Sequence, residues 1–313
     1  MERTDLFDHA LGACARILRA QSKWLGALSL AAAAVACTTP PPVSQFPTAD
    51  DALGRMHACY DCALGVQGTA KVDLVTQQGR VKGDIYLFAV APDRVRFDVV
   101  SPFGATIYTL TSDGRNFKLA DQQAKTFFYG PAKACNLARF TQVPVPGHAL
   151  GSLLRGEAPV LVHTKEAATI HWDDGHYVLD LPSTRDASEE IDLGVHPDDF
   201  GKPWQEQRVR VLGVRVSQGG VPIYEAELSD HKPVTTAPPR VDEDGIDDPV
   251  PPSGPECHAE IPHTIRFKVE HTEDDVLFEY KDGEAKWNPP LIDGTFTQPV
   301  PGGMHKQFVE CTD

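Results

Sequence analysis

The 313-residue sequence has no apolar run of the ~20 residues that a membrane-spanning helix needs. It is short of positive charge, with 29 Lys and Arg against 44 Asp and Glu and a formal net charge of −15. Nucleic acids and anionic membrane surfaces are held by clustered Lys and Arg, so neither is expected as the main partner. Also missing are a GxSxG elbow, an HExxH helix, a Walker loop and a dinucleotide fingerprint, so no enzymatic activity and no cofactor are expected. Cys59-x-x-Cys62 stands without a second Cys-x-x-Cys or a His pair at finger spacing, and no strand pattern leads into it. It therefore reads as part of a structural bridge rather than a zinc or redox centre. What remains, 41% apolar and 23% charged residues, describes a folded globular chain and not a collagen, a coiled coil or a disordered polymer.

The longest apolar stretch is residues 24–36 (WLGALSLAAAAVA), preceded by Arg16, Arg19 and Lys23 and followed by Cys37 and a Pro/Thr-rich segment. This is the pattern of a secretory signal peptide spanning residues 1–36. Ala34-Val35-Ala36-Cys37 resembles a bacterial lipobox, with Ala34 where Leu is commonest, and implies a lipidated Cys37. Thr38, rather than Asp, follows that cysteine, which implies release to the outer membrane on its periplasmic face. The plainer reading is an Ala-rich buried helix with an ordinary cysteine. Processing would leave 25 basic against 41 acidic residues, a charge of −16, and residues 37–49 would form a Pro-rich tether. In an oxidising compartment Cys59, Cys62, Cys135, Cys257 and Cys311 are disulfide candidates. Five is odd, so one stays free. Cys257 with Cys311 is the first expected pair, and Cys59, Cys62 and Cys135 compete for the second.

A short helix is predicted from Asp50, capped by Asp50 or Asp51, with Leu53 and Met56 on one side. From Gly65 the period changes to two, and strands joined by tight turns follow to Tyr129, the pattern of an antiparallel meander. Helical spacing interrupts at residues 132–140 and 147–155, and strand signals resume at 159–163, 169–172, 176–181, 207–216, 224–228, 264–271 and 276–280. Residues 235–256 carry six acidic residues and six prolines and read as a loop or disordered insertion in a domain spanning residues 50–313. Within it, residues 242–248 resemble a Ca²⁺ loop but lack the distal bidentate Glu and flanking helices, so a solvated acidic linker is expected. The twelve His, including His258, His263 and His271, match no metal-ligand spacing, and no metal is expected.

The run from Asp93 to Leu110 (DRVRFDVVSPFGATIYTL) resembles the LolB family of outer-membrane lipoproteins, which accept other lipoproteins and insert them. Gly68, Ser112-Asp113-Gly114, Leu119-Ala120-Asp121, Val143-Pro144-Val145-Pro146 and Leu150-Gly151-Ser152-Leu153-Leu154-Arg155-Gly156 fall in the same order, so the resemblance covers Cys37 and residues 60–182. It implies a mainly β fold, in which a curved antiparallel sheet forms an open half-barrel with a helical lid over an apolar cavity. It also implies lipoprotein cargo, a LolA-like periplasmic carrier, and an exposed apolar residue on the Pro-x-Gly loop that enters the membrane, here Phe103. The cavity is expected at Val72, Leu74, Ile85, Leu87, Val95, Phe97, Val99 and Leu110, under Leu150, Leu153 and Leu154, in a monomer. In the plainer reading Phe103 fastens a hairpin to the core and the three leucines fill the interior. A filled half-barrel would leave a second function, a lipid-anchored structural lipoprotein that docks a periplasmic partner through its acidic C-terminal region.

Overall fold

A computed structural model describes residues 39–311, apart from Gln78, Pro102, Glu243, Asp244, Ile246, Asp247, Glu270 and His271. The expected signal segment and Cys37 lie outside the described residues. Residues 39–313 form a compact unit of their own. Among the described residues no helix is long and apolar enough to cross a membrane.

Helix α1 (Ala49–Tyr60) is capped by Thr48, not by an aspartate: the Thr48 hydroxyl accepts the Asp51 N–H at 3.1 Å and donates to the Asp51 carboxylate at 2.7 Å. The period-two region gives β1 (Gly65–Thr76), β2 (Gly79–Val90), β3 (Arg94–Val100), β4 (Thr106–Ser112), β5 (Asn116–Asp121) and β6 (Thr126–Pro131), a meander in which each strand pairs with the next. Helices α2 (Ala134–Thr141) and α3 (Gly147–Leu154) follow. A second meander runs through β7 (Thr169–Asp173), β8 (His176–Pro182), β9 (Ala187–Val195), β10 (Val209–Gln218), β11 (Val221–Pro233), β12 (Glu260–Val269) and β13 (Asp274–Tyr280). It closes onto the first through β13 and β1, in antiparallel register from Ala70 opposite Tyr280 to Val75 opposite Asp275. The short β14 (Lys286–Trp287) pairs with β1, and β15 (His305–Phe308) runs parallel to β6 at the sheet edge. The fold is thus mainly β, with one large open and mostly antiparallel sheet and, among the described residues, three α-helices.

Several expectations change. Residues 159–163 form no strand, and their β-pairing is limited to the isolated bridge His163 to Ser183. Strand β9 forms where no strand is expected, because the acids Glu190 and Asp192 are held by Arg215 of the neighbouring β10. The described residues flanking the acidic run in 235–256 are tied down: Ala237 N–H donates to Trp287 O at 2.7 Å, Trp287 N–H donates to Thr235 O at 3.0 Å, and Arg240 pairs with Val250. Residues 39–48, within the expected Pro-rich tether, make contacts with the sheet. Trp172 Nε1 donates to Thr39 O at 2.9 Å, Val43 N–H donates to Phe200 O at 3.2 Å, and the buried Phe46 ring packs on Tyr177 and Trp204.

The cystines are Cys62–Cys257 and Cys135–Cys311, and Cys59 is free, so Cys257 does not pair with Cys311. Topology decides this. Cys62 lies in the turn between α1 and β1 and meets the segment entering β12, whereas the C-terminal chain follows β6 and reaches α2.

Glu189 on β9 is 2% exposed; one oxygen accepts the Leu161 N–H at 2.7 Å and the other has no partner. Burial pushes its carboxyl up to about 8. The folded chain therefore holds a proton that the unfolded chain releases near 4.5, and stability falls as pH rises from there through 8. Chemical denaturation of Glu189→Gln should show a flatter profile over this window. The parent should lose up to about 1 kcal/mol per pH unit more than the variant.

Candidate apolar site

A pocket of about 600 Å³ lies against one face of the first meander. Its walls follow cross-strand rows. Val72 faces Phe278 on one side and Gly83 on the other; Ile85, Val99, Tyr108 and Asp121 form a second row; Phe97, Leu110, Leu119 and Phe128 form a third. Because successive rows are two residues apart, all of them point to the same side of the sheet. Val276 and Phe278 on β13 and Phe128 on β6 are six strand spacings apart, roughly 29 Å on a flat sheet. One pocket of this volume can touch both only if the sheet curls around it.

Val72, Leu74, Ile85, Phe97, Val99 and Leu110 line this pocket. Leu87, Val95, Leu150, Leu153 and Leu154 do not, a correction to the expected cavity. Each is at most 2% exposed, because α3 seats on β2, β3 and β12 and its leucines fill the space above Leu87 and Val95. The cover over the pocket is α2 instead. Phe140 packs at 5.5 Å centroid distance on both Phe117 and Phe128, and Arg139, Phe140 and Thr141 face the pocket. The other end of α2 is fixed: Cys135 is bonded to Cys311, and buried Asn136 donates through Nδ2 to Pro131 O at 2.9 Å and Val309 O at 3.4 Å.

Sequence patterning missed Phe140, Val276 and Phe278, whose approach depends on long-range pairing, and Gly83, whose lack of a side chain helps leave the space. A Cβ built on Gly83 meets only Val99 Cγ1, at 3.9 Å.

Polar groups gather at the rim. Asp121 accepts the N–H groups of Gln123 and Ala124 at 2.9 and 2.8 Å, closing the β5–β6 turn. The Tyr108 hydroxyl is pushed up by burial, with the Asp121 charge adding to the effect. Asp73 holds both Arg80 and Lys82, and these cations keep its carboxyl well below the usual carboxylate range. A second, more polar hollow of about 730 Å³ adjoins the first, sharing Leu74 and Val81 and reaching Gln77, Arg80, Gln142, Thr272 and Asp274.

Antiparallel register puts the β1–β2, β3–β4, β5–β6 and β12–β13 turns at one end of the sheet. Phe103, in the β3–β4 turn, is 96% exposed there and fastens nothing to the core. The turn closes without it: Gly104 N–H donates to Ser101 O at 2.9 Å, Ser101 N–H to Ala105 O at 2.8 Å, and Ala105 N–H to Ser101 Oγ at 3.1 Å. Gly104, at φ +81°, supplies the left-handed step. The β7–β8 turn, where Thr39 is held, lies at the opposite end.

No family model and no curated protein matches the chain. Among solved structures it is similar to a DUF1329 family protein from Desulfovibrio piger, at 10% identity and TM-score 0.46, covering 79% of this chain and 94% of that one. It is also similar to a LolA superfamily protein from Nitrosomonas europaea, at 11% identity and TM-score 0.47, covering 80% and 98%. A third is a domain from Vibrio parahaemolyticus described as a candidate outer membrane lipoprotein-sorting protein, at 10% identity and TM-score 0.40, covering 78% and 95%.

Filling the pocket tests its apolar character. Gly83→Leu places a side chain in open space on a strand where glycine packs nothing, so its melting temperature should not fall. The fluorescence enhancement of Nile red should drop severalfold. An unchanged enhancement would mean that the dye, and apolar ligands like it, bind elsewhere.

Proposed function

We propose that the protein is a lipid-anchored envelope lipoprotein of the outer membrane, facing the periplasm, that takes acyl chains of other lipoproteins into the α2-covered pocket and releases them to the bilayer. The pocket carries this reading. Its volume of about 600 Å³ falls within the ~300–1,000 Å³ of ligand sites, and its walls are mostly apolar. A packed half-barrel that acts only through its acidic C-terminal region would have no reason to leave this space open. The sequence likeness to the LolB family around residues 93–110 supports the same role.

Transfer needs no bond-making step. An acyl chain moves from a LolA-like carrier to the pocket and then to lipid, each step driven by the difference in how completely the two sites shield its CH₂ groups from water, where full burial of one CH₂ contributes ~0.8 kcal/mol. Phe103, at the same end as the polar hollow, is the membrane contact; moving its ring out of water contributes roughly 1.5–3 kcal/mol. The acyl chains on Cys37 keep the protein at the membrane, and the protein acts as a monomer.

Native mass spectrometry of residues 39–313 with a lipidated peptide should show a one-to-one adduct that survives desalting. Phe103→Glu should melt within about 0.5 kcal/mol of the parent, keep the adduct, and lose transfer of the peptide to liposomes. A sharp thermal transition with no adduct would leave the acidic-region docking role as the better account.

A further inference from the structure

The walls of the pocket are apolar, yet one cation faces into it without a counter-charge. Arg139 lines the pocket from the last turn of α2 and is exposed, and its guanidinium makes no hydrogen bond or ion pair among the described residues. The helix end is closed without it, by Gln142 Nε2 donating to Arg139 O at 3.2 Å and Gln142 N–H donating to Ala138 O at 2.8 Å. The neighbouring charges are accounted for differently. Lys82 sits 2.9 Å from Asp73, Arg80 pairs with the same carboxylate, and one Asp121 oxygen already takes two backbone N–H groups. Arg139 is thus the one arginine on the pocket wall, with a planar fork of donors free to meet a ligand.

Resting on the acyl-binding reading above, we propose that Arg139 selects amphiphiles whose chain fills the pocket and whose head group is anionic, a carboxylate or a phosphate. Either group presents two oxygens to the guanidinium fork, and such charge-assisted bidentate bonds are about twice as strong as neutral ones. The adjoining polar hollow at Gln142, Thr272 and Arg80 gives the head group room outside the apolar walls. An arginine in the last turn also favours the helix dipole, but that role stabilises α2 without distinguishing one ligand from another.

The test uses the purified full chain and three probes with the same sixteen-carbon tail, namely palmitate, hexadecyl phosphate and the neutral hexadecanol, each displacing Nile red. Palmitate or hexadecyl phosphate should bind about tenfold tighter than hexadecanol. The stronger of the two identifies a fatty-acid or a phospholipid type of head group. Arg139→Gln should bring all three within about twofold while leaving hexadecanol unchanged, and Arg139→Lys should restore part of the preference. Equal binding of all three probes by the parent, or a preference that survives in Arg139→Gln, would overturn the role of Arg139 and leave the pocket reading standing. Failure of hexadecanol and both anions alike would remove the pocket reading itself. Gly83→Leu, which should weaken all three together, separates displacement from the pocket from displacement at the surface.

Discussion

The architecture depends on one pairing between strands about 200 residues apart, β1 with β13. Without it the two meanders would be separate sheets, each with an open edge. Such a contact closes a very long loop, and the structure offsets that cost with local ties at the same place. Asn288 is fully buried there; its Oδ1 accepts the Gly65 N–H at 3.1 Å, and Nδ2 donates to Cys62 O at 2.8 Å and Pro255 O at 2.6 Å. Its backbone, at φ +49°, takes the left-handed conformation that asparagine tolerates better than most residues. Cys62–Cys257 adds a covalent tie beside it. The disulfide, the amide and the β14 pairing all hold the start of β1 to the chain that surrounds the second meander.

The same junction explains why one part of the concave face is filled and another is open. With β13 against β1, Val276 and Phe278 close the far wall of the pocket opposite Phe128. Two helices are then available to cover the curved face. α3 brings Leu150, Leu153 and Leu154, with Gly147, Ala149 and Gly151 allowing close approach, and it packs to a solid core. α2 is eight residues long and tied at its N-terminal end to the C-terminal chain; it buries Asn136 and Leu137 there, and at its other end only the partly buried Phe140 reaches over the pocket. The open space is what remains between a fully seated helix and a half-seated one.

Much of this was legible in the sequence because strand periodicity is a local property. The alternation of Phe97 with Val99 among Arg96 and Asp98 marks a face of its strand, and the turns carry ordinary turn chemistry, whereas Ile85 to Val90 is apolar on both faces and takes its phase only from pairing with its neighbours. How deep each residue sits along its strand was not legible, and depth separates Ile85, which meets the pocket, from Leu87, which meets α3. Pairings over long distances were equally silent. Strand β9 carries Glu189, Glu190 and Asp192, a composition that argues against a strand until Arg215 is placed beside two of them. The cystine partners follow from sheet order, which no spacing of five cysteines encodes. The Pro-rich residues 39–48 look like a tether in composition, and only the apolar seat offered by Tyr177 and Trp204 turns Phe46 into an anchor.

That seat bears on how an anchored protein would meet a membrane. Thr39 is held by Trp172 beside the β7–β8 turn, at the end of the sheet away from Phe103 and the polar hollow. With lipid on Cys37, two residues ahead, the docked strap would hold the β7–β8 end toward the anchoring bilayer and turn the pocket opening outward, toward an arriving carrier. Residues 39–45 are held through Thr39 O, Val43 N–H and both Ser44 oxygens, which accept the Trp204 N–H at 3.1 Å and Gln207 Nε2 at 2.9 Å, while Val43 is 90% exposed and Phe46 is buried. Peeling the strap back as far as Phe46 would free about eight residues, roughly 27 Å of extended chain, enough for the domain to tip and bring Phe103 to the same bilayer.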